Sequence, residues 1–381
     1  MSELQPYRTT RIVRTRFRPG QRILMVSDIH GHDTVFRSLL DKAAFTPDDA
    51  LVVVGDLLEK GTESLQVIRT LMRLSHTHQV YTLIGNMDVF TLHRILSDDP
   101  VWRDLLFDKA PEMISWWGGC LLKEMCDELG LPLTPDMDRI LTVRRLREHF
   151  APELAFMSAL PTILDTPTLT FVHGGLPHLR LDEFEGTLNA PYLKNDDFLS
   201  QGLSFDRYLV VGHWPAVLYR TRLMDMSPLI LRDRHIVCLD GGCGVKESGQ
   251  LNCVILPDAE SDDFSFLWAD GLPHVRAVTP QEEGPEPVYI RFHDRHVEVL
   301  ERGEPFSRIR YHGHETQIPT SALDPEDPET LNTDMTDYRL PVSPGDEISL
   351  IMTCGSEIYA RKNSILGWYK GDYVYVNQNH R

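Results

Sequence analysis

Three stretches decide the fold: ILMVSDIHG at residues 23–31, ALVVVGD at 50–56 and QVYTLIGNMD at 79–88. Each begins with a short apolar run and ends in Gly, Asp, His or Asn, which is typical of a buried strand followed by a polar loop. The intervening segments, residues 34–45 and 63–75, predict helices. A strand–helix–strand–helix–strand order of this kind predicts an α/β sandwich.

The pattern of apolar strands with polar ends continues along the chain. LTFVHGG at 169–175 and YLVVGHWP at 208–215 predict two further strands of this kind. HIVCLDGG at 235–242 and LNCVILP at 251–257 read as a hairpin-like pair around a glycine-rich loop. Residues 90–160 predict a helical insertion beside the sheet.

The length of 381 residues suggests two domains, at about 150 residues each. We expect an N-terminal extension at 1–20 and a main domain at 21–275. RAVTPQEEGPE at 276–286 has the composition of a linker. Short alternating strands without a long helix follow at 287–381, which predicts a small all-β domain.

Composition narrows the classes of function. Lys and Arg number 38 against 56 Asp and Glu, a formal net charge of −18, which argues against a nucleic-acid scaffold and against binding to an anionic membrane. No apolar run reaches the roughly 18 residues of a spanning helix, and the N-terminus lacks a signal-peptide stretch. The six cysteines form no CxxC pair, so we expect thiols in a cytoplasmic protein.

The polar residues at the strand ends predict a metal site. Carboxylate, imidazole and amide oxygen are ligands that suit two divalent cations, with Mn²⁺ as our leading candidate and Fe, Zn²⁺ or Mg²⁺ as alternatives. Two such cations about 3.5–4 Å apart can clamp a phosphoryl oxygen and share a hydroxide nucleophile. The candidate ligands are Asp28, His30, Asp56, Asn86, His173 and His213.

These motifs together resemble the calcineurin-like metallophosphoesterases, and most closely the phosphoprotein phosphatase family with its bacterial members and diadenosine tetraphosphatase relatives. The matching motifs are D-x-H-G at 28–31, G-D-x-x-x-K-G at 55–61, G-N at 85–86, H-G-G at 173–175 and G-H at 212–213. The resemblance covers about two-thirds of the chain. It implies a β-sandwich flanked by helices in four layers, α/β/β/α.

The resemblance also implies roles for the ligands, with Asp56 bridging the two metals. The first metal would be held by Asp28, His30 and Asp56, and the second by Asp56, Asn86, His173 and His213. Lys60 lies where the family usually has a phosphate-binding Arg, so we expect it to bind phosphate and to offset charge during the reaction. His178 and Arg180 follow the H-G-G turn and are further candidates for binding the substrate.

One position departs from the family pattern. The family's G-N-H-E motif supplies a His that is thought to protonate the leaving group, with an acidic partner, whereas this chain has Met87 followed by Asp88. A thioether cannot donate a proton. His32 is the nearest alternative acid in the sequence, so Asp88 and His32 join Asp56 and Lys60 as candidates for the catalytic machinery. Otherwise the substrate has a good leaving group, or the activity is low.

The resemblance makes a protein serine/threonine phosphatase-like phosphomonoesterase the leading hypothesis, acting on a phosphorylated protein or a small phosphoester. A phosphodiesterase or a diadenosine polyphosphate hydrolase is the alternative, because an acid-lacking site suits a good leaving group. The third hypothesis is a non-catalytic metal-binding scaffold whose work lies in the C-terminal domain.

The C-terminal sequence at 337–376 weakly resembles an SH3-like barrel. A Gly-Asp pair precedes one strand, and Trp368 and Tyr369 lie in a Gly-Trp-Tyr-x-Gly segment. Aromatic side chains at such turns can form a groove for an extended peptide, so we expect a possible peptide partner. The alternative is that both rings pack into the small core.

Overall fold

The computed structural model describes residues 8–376, and the predictions that concern residues 1–7 and 377–381 lie outside this range. The chain divides into two compact units. Of the described residues, the first unit comprises 8–215 and 228–270, and the second comprises 216–227 and 271–376. This boundary differs from the predicted one, because residues 274–277 form a strand of the second unit, and this strand spans the predicted end of the main domain at 275 and the start of the expected linker.

The first unit contains both strands and helices. Its strands are β1 (Ile12–Arg14), β2 (Ile23–Val26), β3 (Ala50–Val54), β4 (Gln79–Leu83), β5 (Ile163–Asp165), β6 (Leu169–Val172), β7 (Tyr208–Val211), β8 (Leu229–Leu231), β9 (Ile236–Cys238), β10 (Leu251–Leu256) and β11 (Ser265–Ala269). Its helices are α1 (Asp33–Lys42), α2 (Ser64–Thr77), α3 (Asn86–Leu96), α4 (Pro100–Trp117), α5 (Leu121–Glu128), α6 (Arg139–His149), α7 (Ala151–Ser158) and α8 (Ala190–Leu193). Five of these helices, α3 to α7, occupy the predicted helical insertion.

These strands form two sheets. One has the order β1-β5-β6-β7-β9-β8 and the other β11-β10-β2-β3-β4. Strands β2, β3 and β4 are parallel in one sheet, and β6, β7 and β9 are parallel in the other. Strands β2, β3 and β6 are fully buried, which fits this arrangement, since strands covered on both faces need no polar alternation.

Two apolar cores hold the layers together. One core joins side chains of both sheets, such as Met25 and Val52 from one and Phe171 and Val210 from the other, so the sheets stack as a sandwich. The second core packs the opposite faces of β2 and β3 against helices of the first unit. The predicted α/β sandwich is therefore confirmed.

Two expectations about strands need correction. The expected N-terminal extension contains β1, which pairs in parallel with β5 and so belongs to a sheet. The expected hairpin of 235–242 and 251–257 does not form, because β9 pairs with β7 and β8 while β10 pairs with β2 and β11 in the other sheet. Both segments are apolar and buried, so their pattern alone did not distinguish one sheet from two.

The second unit is all-β, as predicted. Its strands are β12 (His274–Ala277), β13 (Tyr289–Ile290), β14 (Glu298–Glu301), β15 (Phe306–Tyr311), β16 (His314–Pro319), β17 (Met335–Thr336), β18 (Glu347–Cys354), β19 (Glu357–Lys362), β20 (Ile365–Tyr369) and β21 (Tyr373–Tyr375). They form a five-stranded sheet of order β20-β19-β18-β12-β21, a three-stranded sheet β14-β15-β16 and the pair β13-β17. The SH3-like resemblance stays a prediction.

The two aromatic residues that suggested a peptide groove are buried in this unit. Trp368 is 2% exposed and donates its indole N–H to the carbonyl of Thr336 at 2.8 Å. Tyr369 is fully buried and its hydroxyl donates to the carbonyl of Thr279 at 2.6 Å. Both rings therefore pack the core, which is the alternative that the sequence left open.

Two further expectations concern the chain as a whole. Within residues 8–376, no helix is long and apolar enough to cross a membrane. All six cysteines lie in this range, are buried, and form no disulfide.

Candidate metal centre

The predicted ligands come together where parallel strands of both sheets end. Asp28 and His30 follow β2, and Asp56 follows β3. His173 and His213 follow β6 and β7 of the other sheet. Because the carboxyl ends of parallel strands share one edge of a sheet, stacking the two sheets brings the side chains of both edges into one cluster.

The backbone at these positions is strained. Asp28, His30, Asp56 and His213 have φ angles of 55°, 47°, 51° and 68°, in the left-handed region that non-glycine residues rarely adopt. Each such residue costs about 1–3 kcal/mol and is typical of a functional site. Four of the six predicted ligands thus adopt a conformation that folding alone disfavours.

The first ligand group consists of Asp28, His30 and Asp56, whose ligand atoms lie within 4.8 Å of one another. His30 Nε2 is 3.9 Å from Asp28 Oδ1 and 3.7 Å from Asp56 Oδ2. The Nδ1–H of His30 donates to the carbonyl of Leu58 at 3.1 Å, which leaves the Nε2 lone pair facing the carboxylates. Burial and Lys60 lower the pKa of His30 to about 3, so the ring is neutral, as a ligand must be.

The second group shares Asp56 with the first and adds His173 and His213. His173 Nε2 lies 3.4 Å from Asp56 Oδ1 and 3.0 Å from the amide oxygen of Asn86. Its Nδ1–H donates to the carbonyl of Val54 at 2.8 Å. Asp56 is therefore common to both groups, and Asn86 lies beside the second group.

The charges in the cluster fit a cation. Asp28 Oδ1 is buried and has no hydrogen-bond partner among the described residues, and burial raises the pKa of this carboxyl to about 6. Burial opposes a proton on His173, yet the carboxylates of Asp56 and Asp28 raise its pKa to about 10. Positive charge between these oxygens is thus strongly favoured, and two divalent cations would supply it, so the donor set fits a dinuclear centre.

Glycines allow the ligand loops to approach one another. A Cβ at Gly85 would lie 2.1 Å from Asp56 Oδ1, and one at Gly212 would lie 2.4 Å from Asp28 Oδ2. Contacts this short do not occur, so both positions need glycine for close approach.

Lys60 lies at this cluster, as predicted. The hydrogen bond that His32 makes differs from the one that a neutral histidine acting as general acid would need. The ammonium of Lys60 is 3.2 Å from His30 Nε2. His32 precedes α1, and its Nδ1–H donates to the carbonyl of His30 at 2.6 Å. In the neutral ring this leaves Nε2 as an acceptor, so His32 donates to a leaving group only when it is doubly protonated.

His178 and Arg180 have other partners than the cluster. His178 stacks on Phe184 with ring centroids 4.8 Å apart, and its Nε2 is 3.4 Å from Glu183. Arg180 is exposed and forms an ion pair with the same Glu183. Glu183 thus contacts both side chains that we expected to bind phosphate.

Asp88 supports the loop that carries Asp56. It is fully buried, and its two oxygens accept hydrogen bonds from the N–H groups of Leu57, Leu58 and Gly85 at 2.9, 3.2 and 2.9 Å. The neighbouring Met87 donates its backbone N–H to Asp56 Oδ1 at 2.9 Å. Both oxygens of Asp88 thus accept hydrogen bonds from backbone N–H groups, and its catalytic role stays a prediction.

Sequence reasoning missed two carboxylates. Asp240 follows β9 as the ligands follow their strands; it is 1% exposed, and burial together with the charge of Asp28 raises its pKa well above the usual value. The sequence signal for Asp240 is the same as for the ligands, an apolar strand with a polar end, but we expected this strand to belong to a hairpin. Asp196 lies 2.8 Å from His213 Nε2, and its loop sequence carries no motif.

Comparison with known proteins identifies the family. Residues 21–241, more than half of the chain, match the family model for calcineurin-like phosphoesterases. The chain belongs to this family. It is therefore a metallophosphoesterase, an enzyme class that uses a dinuclear metal centre, and the buried Asp and His groups described above are where this chain can form one.

Named relatives and solved structures extend this comparison. The chain is 25% identical over 256 residues to the symmetrical bis(5'-nucleosyl)-tetraphosphatase of Shewanella sp. (strain W3-18-1), covering 57% of this chain and 89% of the relative. Over 117 residues it is 32% identical to the enzyme of that name from Photorhabdus laumondii, covering 29% and 42%. A crystal structure titled as a putative diadenosine tetraphosphatase aligns with a TM-score of 0.42 at 20% identity, covering 69% of this chain and 99% of that one.

Proposed function

We propose that this metallophosphoesterase hydrolyses dinucleoside polyphosphates, cleaving a phosphoanhydride bond. The observation that carries the proposal is Met87, which stands where the resemblance places a proton-donating His. General acid catalysis contributes about 10²–10⁴-fold when the leaving group is a strong base. A nucleotide leaves as a stable phosphate anion and needs no such help, whereas the seryl or threonyl alkoxide of a phosphoprotein does.

The relatives support the same choice. The Shewanella and Photorhabdus proteins are both named symmetrical tetraphosphatases, and the Shewanella alignment covers 89% of that protein. These names favour the alternative that the sequence left open over the protein phosphatase hypothesis. A symmetrical cleavage of diadenosine tetraphosphate would release two molecules of ADP.

The residues of the chain would have distinct tasks in this reaction. Asp28, His30 and Asp56 would hold one divalent cation, and Asp56, Asn86, His173 and His213 the other. When bound, the two cations supply Lewis-acid charge and a nucleophile at neutral pH.

The protein's own contribution is fixed geometry and charge. Lys60, beside His30, would offset negative charge on the phosphoryl oxygens as a point charge rather than as a bidentate fork. Asp88 holds the backbone N–H groups of Leu57 and Leu58, and so keeps the loop after Asp56 in place during turnover.

A comparison of substrates tests the proposal. Metal-stripped protein reloaded with Mn²⁺ would be assayed on diadenosine tetraphosphate, an aryl monophosphate, an aryl diester and a phosphoserine peptide, with Asp56→Asn as the control. We expect kcat/KM to be highest for the tetraphosphate, with ADP as product, and activity to be lost in the variant. Faster turnover of the phosphopeptide would overturn the proposal and restore the protein phosphatase hypothesis.

A further inference from the structure

The three histidines of the cluster follow one rule of hydrogen bonding. His30 and His173 each donate Nδ1–H to a backbone carbonyl, which leaves Nε2 for the cluster. His213 has its Nε2 2.8 Å from the Oδ1 of Asp196. Because a carboxylate only accepts, Nε2 carries the hydrogen and Nδ1 is left with the lone pair. The Asp196 carboxylate thus accepts a hydrogen bond from one ring nitrogen of His213, as backbone carbonyls do for His30 and His173.

The segment that carries Asp196 is attached to the same cluster. The N–H of Gly174, next to His173, donates to the carbonyl of Tyr192 in α8 at 2.8 Å. Asp196 follows α8 by three residues, and Lys194 Nζ contacts both of its oxygens at 2.9 and 3.0 Å. These contacts hold the carboxylate at the mouth of the site, where Asp196 is about half exposed while the His213 side chain is 8% exposed.

We propose that Asp196 is a positioning residue for the second metal, fixing the tautomer and the ring orientation of His213. A metal-ligating His whose other nitrogen donates to a carboxylate is held in place and is a more basic ligand, and loss of such a partner typically weakens metal affinity by about 10–100-fold. The inference rests on the proposed dinuclear centre.

The variants follow from the contact. Asp196→Ala removes the acceptor, and we expect it to weaken the second metal site by about 10–100-fold. Asp196→Asn keeps an amide oxygen that can accept from Nε2, so its loss is smaller. Asp197→Asn is the matched control: the Asp197 side chain accepts from the Ser200 hydroxyl at 2.7 Å, and Asn tolerates its φ of 54°.

Calorimetric titration of metal-stripped protein with Mn²⁺ measures both sites without any turnover. We expect two equivalents to bind wild-type protein and Asp197→Asn alike, with only the second site weakened in Asp196→Ala and partly restored in Asp196→Asn. If Asp196→Ala binds metal at both sites with wild-type affinity, the proposed role of Asp196 is overturned, but the dinuclear centre is not. Fewer than two equivalents bound by wild-type protein would overturn the dinuclear centre and this inference together.

Discussion

The substitution Gly85→Ala should weaken both metal sites while leaving the fold largely intact. Its Cβ would lie 2.1 Å from Asp56 Oδ1 and 2.2 Å from the backbone nitrogen of Asp56. Because carbon atoms and their neighbours pack at about 3.5–4.0 Å, relief requires a shift of roughly 1 Å or more. Both atoms belong to Asp56, which is common to the two ligand groups, so the shift falls on both groups at once.

The expected loss of activity and metal affinity follows from that shift. A 1 Å misplacement in an active site costs about 10²-fold in rate, so we expect at least that loss in kcat/KM together with weaker binding of both metals. Overpacking typically costs about 1–3 kcal/mol of folding free energy, which a well-folded domain tolerates. The assays are Mn²⁺ titration, hydrolysis of diadenosine tetraphosphate and urea unfolding.

A second glycine separates loss of stability from loss of the site. Gly20 has a φ of 69° and open space around its Cβ position, so Gly20→Ala carries a backbone cost of about 1–2 kcal/mol without touching a ligand. We expect Gly20→Ala to be destabilised yet to bind both metals as wild-type protein does. Gly85→Ala with unchanged metal affinity and turnover would refute the reasoning about Asp56.

Three further predictions concern the missing general acid at Met87, the buried carboxyl group of Glu124 and the effect of metal on stability. Met87→His provides a proton donor, so we expect it to raise turnover of an alkyl phosphomonoester by up to about 10²-fold and to leave diadenosine tetraphosphate hydrolysis unchanged; equal gains on both substrates would contradict this. Burial raises the pKa of Glu124, which accepts from the N–H groups of Ser64 and Leu65, to about 7 from an ordinary 4.5. The folded chain therefore keeps a proton on Glu124 that the unfolded chain loses, so the free energy of unfolding falls as pH rises from about 5 to 7. In urea unfolding, Glu124→Gln should lose less stability between pH 5 and pH 8 than wild-type protein does. Metal at 100 times its dissociation constant should stabilise the protein by about 2.7 kcal/mol for each site that it fills, or about 5–10 °C in Tm per site. A Tm that Mn²⁺ does not move would count against a folded-state metal site.

Much of the site could be predicted from sequence because its ligands sit directly after buried strands. Parallel strands bring such residues to one edge of a sheet, so Asp28, Asp56 and His173 needed only the strand assignment. Asp240 obeys the same rule and was missed because β9 was assigned to a hairpin with β10. That error arose because both strands are apolar throughout, and periodicity does not say which sheet a buried strand joins.

Other features depend on contacts that no local pattern encodes. Asp196 reaches His213 across 17 residues of sequence, from a loop without regular structure. Glu183 contacts both His178 and Arg180, and only the folded loop shows that these side chains already have a partner. Asp88 matched the motif, yet its three backbone hydrogen bonds give it a structural task.

The central claim is that a dinuclear centre bridged by Asp56 cleaves a phosphoanhydride bond. The most direct test is hydrolysis of diadenosine tetraphosphate by metal-stripped protein before and after reloading with Mn²⁺, for wild-type protein and Asp56→Asn. The account predicts ADP formation only by reloaded wild-type protein, with no activity in the stripped protein and a loss of at least about 10²-fold in the variant. Turnover that survives in Asp56→Asn, or that needs no metal, would contradict it.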